Sequence, residues 1–178
     1  TLKSYTAWIA LSMLSSFMLL ATTNQLTQDV APVPLLWIMP LATYLLSFVI
    51  CFRNKTEAPG ILWPAVFMVS AFASWYALDQ SMDLHFIVQI VIFLFTLFAC
   101  CMLVHSELYD RRPHPLYLSS YYLMIAAGGV IGGVCACIIA PLIFKAFWEF
   151  HSALVLYCML AVFIAFARRR QYGVALRV

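Results

Sequence analysis

The feature that most limits what this chain can become is its series of long apolar runs. From Phe86 to Val104 the sequence reads FIVQIVIFLFTLFACCMLV, without one charged residue, and comparable runs recur along the whole chain. About 18 or more apolar residues suffice to cross the ~30 Å hydrocarbon layer as a helix. In lipid, backbone N–H and C=O groups must be satisfied inside the protein, so such stretches fold as helices. Composition agrees: 65% of the residues are hydrophobic and 10% charged, with a mean hydropathy of +0.96. Charge is therefore about 2.5-fold rarer than the roughly 25% usual in a soluble domain. No soluble core of 178 residues needs so much apolar surface. The chain reads as an all-α integral membrane protein, a single polytopic membrane domain over residues 1–178.

The apolar run from Tyr5 to Thr23 is too long for a secretory signal peptide, and no small-residue cleavage pattern leads into a soluble part. The chain opens at TLKSY and stops at ALRV after an arginine cluster, as a piece of a longer protein would. Six helices are expected, at residues 5–23, 35–52, 61–79, 84–104, 117–144 and 151–168. Prolines mark their starts at Pro32, Pro34, Pro59, Pro64, Pro113 and Pro115, while Pro40 and Pro141 fall inside spans and are expected to kink them.

Charge then assigns a side to each loop. With the N-terminus in the cytoplasm, the cytoplasmic loops hold Lys3, Arg53, Lys55, Arg111, Arg112, Arg168, Arg169, Arg170 and Arg177. The opposite side keeps Lys145 with the acidic Asp29, Asp79, Asp83 and Glu149. Nine of the ten Lys and Arg on one side is a strong positive-inside split, and an odd number of spans would spoil it. Both termini are expected in the cytoplasm. Arg168–Arg170 reads as a stop-transfer anchor at anionic headgroups, or as a lead into a cytoplasmic domain.

Few residues suggest chemistry. The six cysteines, Cys51, Cys100, Cys101, Cys135, Cys137 and Cys158, lie in or beside apolar runs without the CxxC spacing of a zinc site. They read as buried small hydrophobes. A bis-histidine haem needs two histidines at one depth on facing helices. His85 and His151 share a side but sit at loop edges, and His105 and His114 lie on the other side. No spacing implies a nucleophilic Ser-His-Asp or Cys-His arrangement. Gln89 is the main polar side chain at membrane depth besides serines and threonines, so no ion path or proton relay of charged residues is expected. No catalytic residue, metal, cofactor or nucleic-acid partner is expected.

Three polar or small-residue segments remain. In helix five, Gly128, Gly132, Ala136 and Ala140 recur every four residues, with Gly129, Gly133 and Cys137 beside them. Such a stripe lets another helix approach backbone to backbone. A phosphate-binding loop is excluded by the missing strand and Lys-Ser/Thr. Between helices one and two, Asn24, Gln25, Gln28 and Asp29 form an extracytoplasmic polar segment, either a solvated loop or a short element lining a cavity. At the cytoplasmic exit of helix four, His105, Glu107, Asp110, Arg111 and Arg112 are expected to form an interfacial network at the turn into helix five. Glu107 opposes the helix dipole there and calls for a cationic partner in Arg111 or Arg112.

Two stretches together carry a resemblance. TTNQLTQDVAPVPLLWIMPLATYLLSF, from Thr22 to Phe48, and HSELYDRRPHPLYLSSYYLMIAAGGVIGG, from His105 to Gly133, are similar to the membrane part of fused major facilitator/spermidine synthase proteins. In the second, His105, Glu107, Leu108, Arg112, Pro113, Pro115, Leu118, Tyr122, Leu123, Gly128, Gly129, Gly132 and Gly133 occupy matching positions, while Ser106 and Ser119–Tyr121 depart from the pattern. The resemblance implies a bacterial cytoplasmic-membrane protein. Such proteins often join their helices to a cytoplasmic Rossmann-like domain similar to polyamine aminopropyltransferases, which would bind decarboxylated S-adenosylmethionine and a diamine. No strand–glycine loop–helix unit for that domain occurs in these residues. The expectation is a non-catalytic membrane module, an anchor or accessory subunit beside other membrane subunits or a cytoplasmic domain. The alternatives are a polyamine-like small-molecule carrier or binder, and the membrane part of an aminopropyltransferase-like enzyme.

Overall fold

A computed structural model describes residues 2–27, 35–53, 62–79, 85–143 and 149–175. Apart from short turns, the described residues are helical. Helix α1 covers Leu2–Gln25, α2 Ile38–Arg53, α3 Leu62–Asp79 and α4 Phe86–Asp110. A 3₁₀ turn at Pro115–Tyr117 leads into α5 (Leu118–Val134), which continues through a π-turn at Cys135–Ile139 into the short α6 (Ala140–Ile143). Helix α7 covers Glu149–Ala175. Among the described residues, three rods are long and apolar enough to cross a membrane: Ser4–Gln25, Phe86–Asp110 and the continuous Pro115–Leu142.

The boundaries differ from expectation where chemistry other than hydropathy sets them. Helix α4 does not stop with its apolar run at Val104 but continues to Asp110. Polar residues do not end a helix. Proline does, by pushing the residue before it out of the α region, and here that residue is Arg112, ahead of Pro113. The Arg111 N–H still reaches the Glu107 and Leu108 carbonyls at 3.2 Å. Likewise α1 runs on through Asn24 and Gln25, and α7 passes Arg168 to reach Ala175.

Pro40 does not interrupt a span. Helix α2 begins at Ile38, after a turn in which Leu35 takes φ 70° and the Ile38 N–H bonds to the Leu35 carbonyl at 3.0 Å. Pro40 thus lies in the first turn, where its missing N–H removes no helical bond. Pro141 falls inside a rod as expected, and the chain meets it with the π-turn: the Ala140 N–H bonds back to the Cys135 carbonyl. Such π-turns are one of the ordinary ways a helix takes up an interruption of its bond ladder.

Helix α4 forms the centre. It lies against α1, α2 and α3; α1 also packs on α5 and α7, and α3 on α7. Of the most apolar window of α4, 56% is buried, against 39% for α1 and 22% for the α5 rod. Every residue from Ala99 to His105 is buried, so α4 is enclosed on all sides there. Helices successive in the chain alternate in direction, so α1 lies parallel to α5 and α2 parallel to α4. The N-terminal end of α1 meets the C-terminal end of α4 through Trp8 and Arg111. Helix α7 runs antiparallel to α3, with Tyr157 on Phe67 and His151 beside Trp75, and parallel to α4, with Phe150 on Phe93. The outward faces carry large apolar side chains, among them Val69, Phe72, Ile87, Val130, Leu142 and Phe166.

The α1–α5 seam is built by the small-residue stripe. A Cβ on Gly128 would come within 2.5 Å of the Ile9 carbonyl oxygen, and one on Gly132 would run into the Met13 carbonyl. Gly128, Gly132, Ala136 and Ala140 are buried, and Gly129 faces the Ser16 hydroxyl. Gly133 stands opposite Leu20 with ordinary clearance. The Ser12 hydroxyl closes the seam by donating to the Ile125 carbonyl at 2.6 Å.

Candidate functional site

The expected His/Glu/Asp/Arg network at the end of α4 divides into two. Because α4 stays helical through Asp110, residues two apart diverge around the axis. His105 therefore turns into the bundle, 1% exposed. Glu107, 13% exposed at its side chain, pairs instead with Arg111 one turn on: both Nε and Nη2 of Arg111 donate to one carboxylate oxygen, at 2.9 and 2.7 Å. Arg112 lies over the Tyr109 ring, 4.2 Å from its centre. Asp110 is exposed at the helix end.

His105 sits in a cage supplied by α2. Its ring meets Tyr44 and Phe48 edge-on, with centroids 5.1 and 5.2 Å away, and its Nδ1 lies 3.1 Å from the Ser47 hydroxyl. The Ser47 hydroxyl has one proton, and it points to the Tyr44 carbonyl at 2.7 Å. The aromatic wall extends outward: Phe48 stacks on Phe52 at 4.2 Å, and Phe52 meets Tyr109. One continuous line of rings thus joins the buried imidazole to the basic surface at Arg112.

Sulfur and hydroxyl groups surround the next turn of α4. Cys101 faces Ser47, and the Tyr44 phenol faces Ser15 and Ser16 of α1. Cys51 lies 3.6 Å from the Met102 sulfur. Tyr157 of α7 enters beside Cys100 and Cys101, fully buried, and its hydroxyl has no hydrogen-bond partner among the described residues. A second polar link joins α3 to α4: the Ser74 and Thr96 hydroxyls are 2.6 Å apart, and Thr96 also lies 3.1 Å from the Ser70 carbonyl. Among the described residues, no three His, Cys, Asp or Glu side chains converge as a metal site. Cys135 is half-buried and Cys137 exposed, on different sides of their turn.

The exit of α4 is braced by two aromatic donors. Tyr121 of α5 gives its hydroxyl to the Leu108 carbonyl at 2.9 Å, and the Trp8 indole of α1 donates to the Arg111 carbonyl at 3.1 Å. Their rings meet edge-on at 5.1 Å. The last carbonyls of a helix have no partner within it, and at a buried end they need donors of this kind. Three helices are thereby tied at one point.

Of the polar segment expected between the first two helices, Asn24 and Gln25 belong to the end of α1, with Gln25 buried and the Asn24 carbonyl accepting from Thr27 at 3.3 Å. Gln28 and Asp29 lie outside the described residues. Sequence reasoning passed over Ser47, Tyr44, Trp8, Tyr121 and the Ser74–Thr96 pair. A signal existed for some: Ser70 and Ser74 recur at helical spacing in an apolar run, as do Ser12 and Ser16. The partners of His105 had no such signal, because they lie more than fifty residues away. The chain matches no family model, no curated protein and no solved structure.

Proposed function

We propose that this chain is a non-catalytic polytopic membrane module, acting as anchor or accessory subunit in a larger assembly of the bacterial cytoplasmic membrane. The observation that carries this reading is the distribution of polarity. The helices are clad in apolar side chains outside and tied by neutral polar groups inside. Among the side chains described, the ionised ones lie in the last turn of a helix or just past it: Arg53, Asp79, Glu107, Asp110, Arg111 and Arg112. A membrane enzyme or coupled pump places ionisable groups at membrane depth to move charge. Inside this bundle His105 is instead caged, hydrogen-bonded to a serine and walled by aromatics.

The reading extends to six crossings with both termini in the cytoplasm. Alternating helix directions and the positive-inside split support it. Helix α2, 16 residues long, covers about 24 Å at 1.5 Å per residue, and its flanking residues would complete the ~30 Å crossing. The resemblance to spermidine synthase-like fusion proteins makes an aminopropyltransferase-like unit the first partner to look for, on the side of Arg111 and Arg112.

Purification from native membranes in mild detergent tests the proposal. A stoichiometric complex with a separate subunit, or a catalytic domain on the same reading frame, supports it. A chain that runs alone and gains thermal stability with spermidine overturns it in favour of a polyamine carrier or binder. Reporter fusions between α1 and α2 and between α2 and α3 test the topology.

A further inference from the structure

Helices α3 and α7 do not close completely. Between them lies an apolar cleft of 260 Å³, lined by Pro64, Ala65 and Met68 from α3 and by Ala161, Ala165 and Phe166 from α7, among others. Alanine at 161 and 165 falls on one face at helical spacing and leaves the floor low, while Met68 and Phe166 form the walls. No polar side chain lines it, so its guest is apolar.

The position of the cleft specifies the guest further. It lies at the start of α3 and late in α7. Helix α7 is parallel to α4, so this is the end of the bundle where the exposed Arg111 and Arg112 lie. Arg53 closes α2, which runs in the same direction as α4. Helix α7 itself continues beyond the cleft, and by register Arg169 and Arg170 follow Ala165 and Phe166 one turn on, about 5 Å along the axis. The floor supplied by α7 spans residues 161–166, under two turns. An apolar guest at the end of the bundle that carries Arg53, Arg111 and Arg112 is matched by a chain that ends in a negative headgroup.

We propose that this cleft seats one acyl chain of an anionic phospholipid whose headgroup lies at the basic end of the bundle. The proposal rests on the membrane reading above. The headgroup supplies the charge attracted to the basic end of the bundle, and the apolar cleft supplies the selectivity of place.

The test uses the full chain in nanodiscs of equal parts phosphatidylglycerol and phosphatidylcholine, released for native mass spectrometry. The expected result is one phosphatidylglycerol retained in preference to phosphatidylcholine. Arg169→Gln and Arg170→Gln should each lower that preference roughly five-fold. Ala65→Phe fills the cleft from an exposed position, so the fold tolerates it, and it should abolish retention with every arginine in place. Equal retention of both lipids overturns the proposal. So does phosphatidylglycerol retention that Ala65→Phe leaves intact, since the arginines would then attract lipid without a cleft, and so does a second protein chain found covering the cleft. A chain extracted from vesicles by alkaline carbonate would instead overturn the membrane reading itself.

Discussion

Two seams of this bundle hold helices together by different means. Between α1 and α5 the contact is one of shape: Gly128 and Gly132 let the backbones touch at Ile9 and Met13, and one serine bond accompanies them. Between α2 and α4 the contact is one of polar and aromatic side chains, centred on His105 with Ser47, Tyr44 and Phe48. In lipid, apolar burial does not favour helix association, so close packing and hydrogen bonds must supply it. The first seam has no spare volume and little need of polarity. The second depends on polar partners and is wide enough for aromatic rings.

That contrast can be broken most directly at the glycine seam. Gly132→Leu puts a side chain where the Met13 carbonyl stands. Neither backbone can yield, so the cost should reach about 3 kcal/mol or more, the upper end for overpacking. Thermal unfolding in detergent, followed by circular dichroism, should show a bundle that melts early or does not fold. The damage lies in the fold itself, ahead of any loss of a partner subunit.

His105→Ala comes next, at about 2 kcal/mol, from the cavity left between two rings and the loss of the Ser47 bond. Ser47→Ala should cost about 1 kcal/mol, because that hydroxyl serves both His105 and the Tyr44 carbonyl. The double variant should fall short of the sum of the singles, and strict additivity would show that the pair is not coupled. In the other seam, Ser12→Ala should cost only about 0.6 kcal/mol, the average for a hydrogen bond between membrane helices. If Ser12→Ala proved worse than Gly132→Leu, the division between the two seams would be reversed. Smallest of all, Glu107→Gln should change stability by less than about 0.5 kcal/mol, since an i,i+4 pair with a half-exposed arginine is weakened by water and salt. Its effect should shrink further in high salt.

The glycine stripe is legible in the sequence because a spacing of four places residues on one face whatever the partner. Which helix it meets is not legible there: nothing in the stripe says that α1, more than a hundred residues earlier, fills it. The charged stretch after Val104 shows the same limit in sharper form. Its residues read as one interfacial network because they are adjacent in sequence. Helical geometry separates them, sending His105 inward and Glu107 toward Arg111. Hydropathy ends α4 six residues too early because it marks where lipid ends, whereas Pro113 marks where the helix must.

By itself, the sequence determined that this chain is helical and apolar, and that one helix carries a face for close contact. Those properties follow from local periodicity and from the backbone's need for internal hydrogen bonds in lipid. Tertiary structure alone decided that α4 is the centre, that His105 is caged by α2, and that Trp8 and Tyr121 brace the exit of α4. It also decided that α3 and α7 leave an apolar cleft between them. Each of these joins residues tens of positions apart, and only the packing of whole helices brings them within reach.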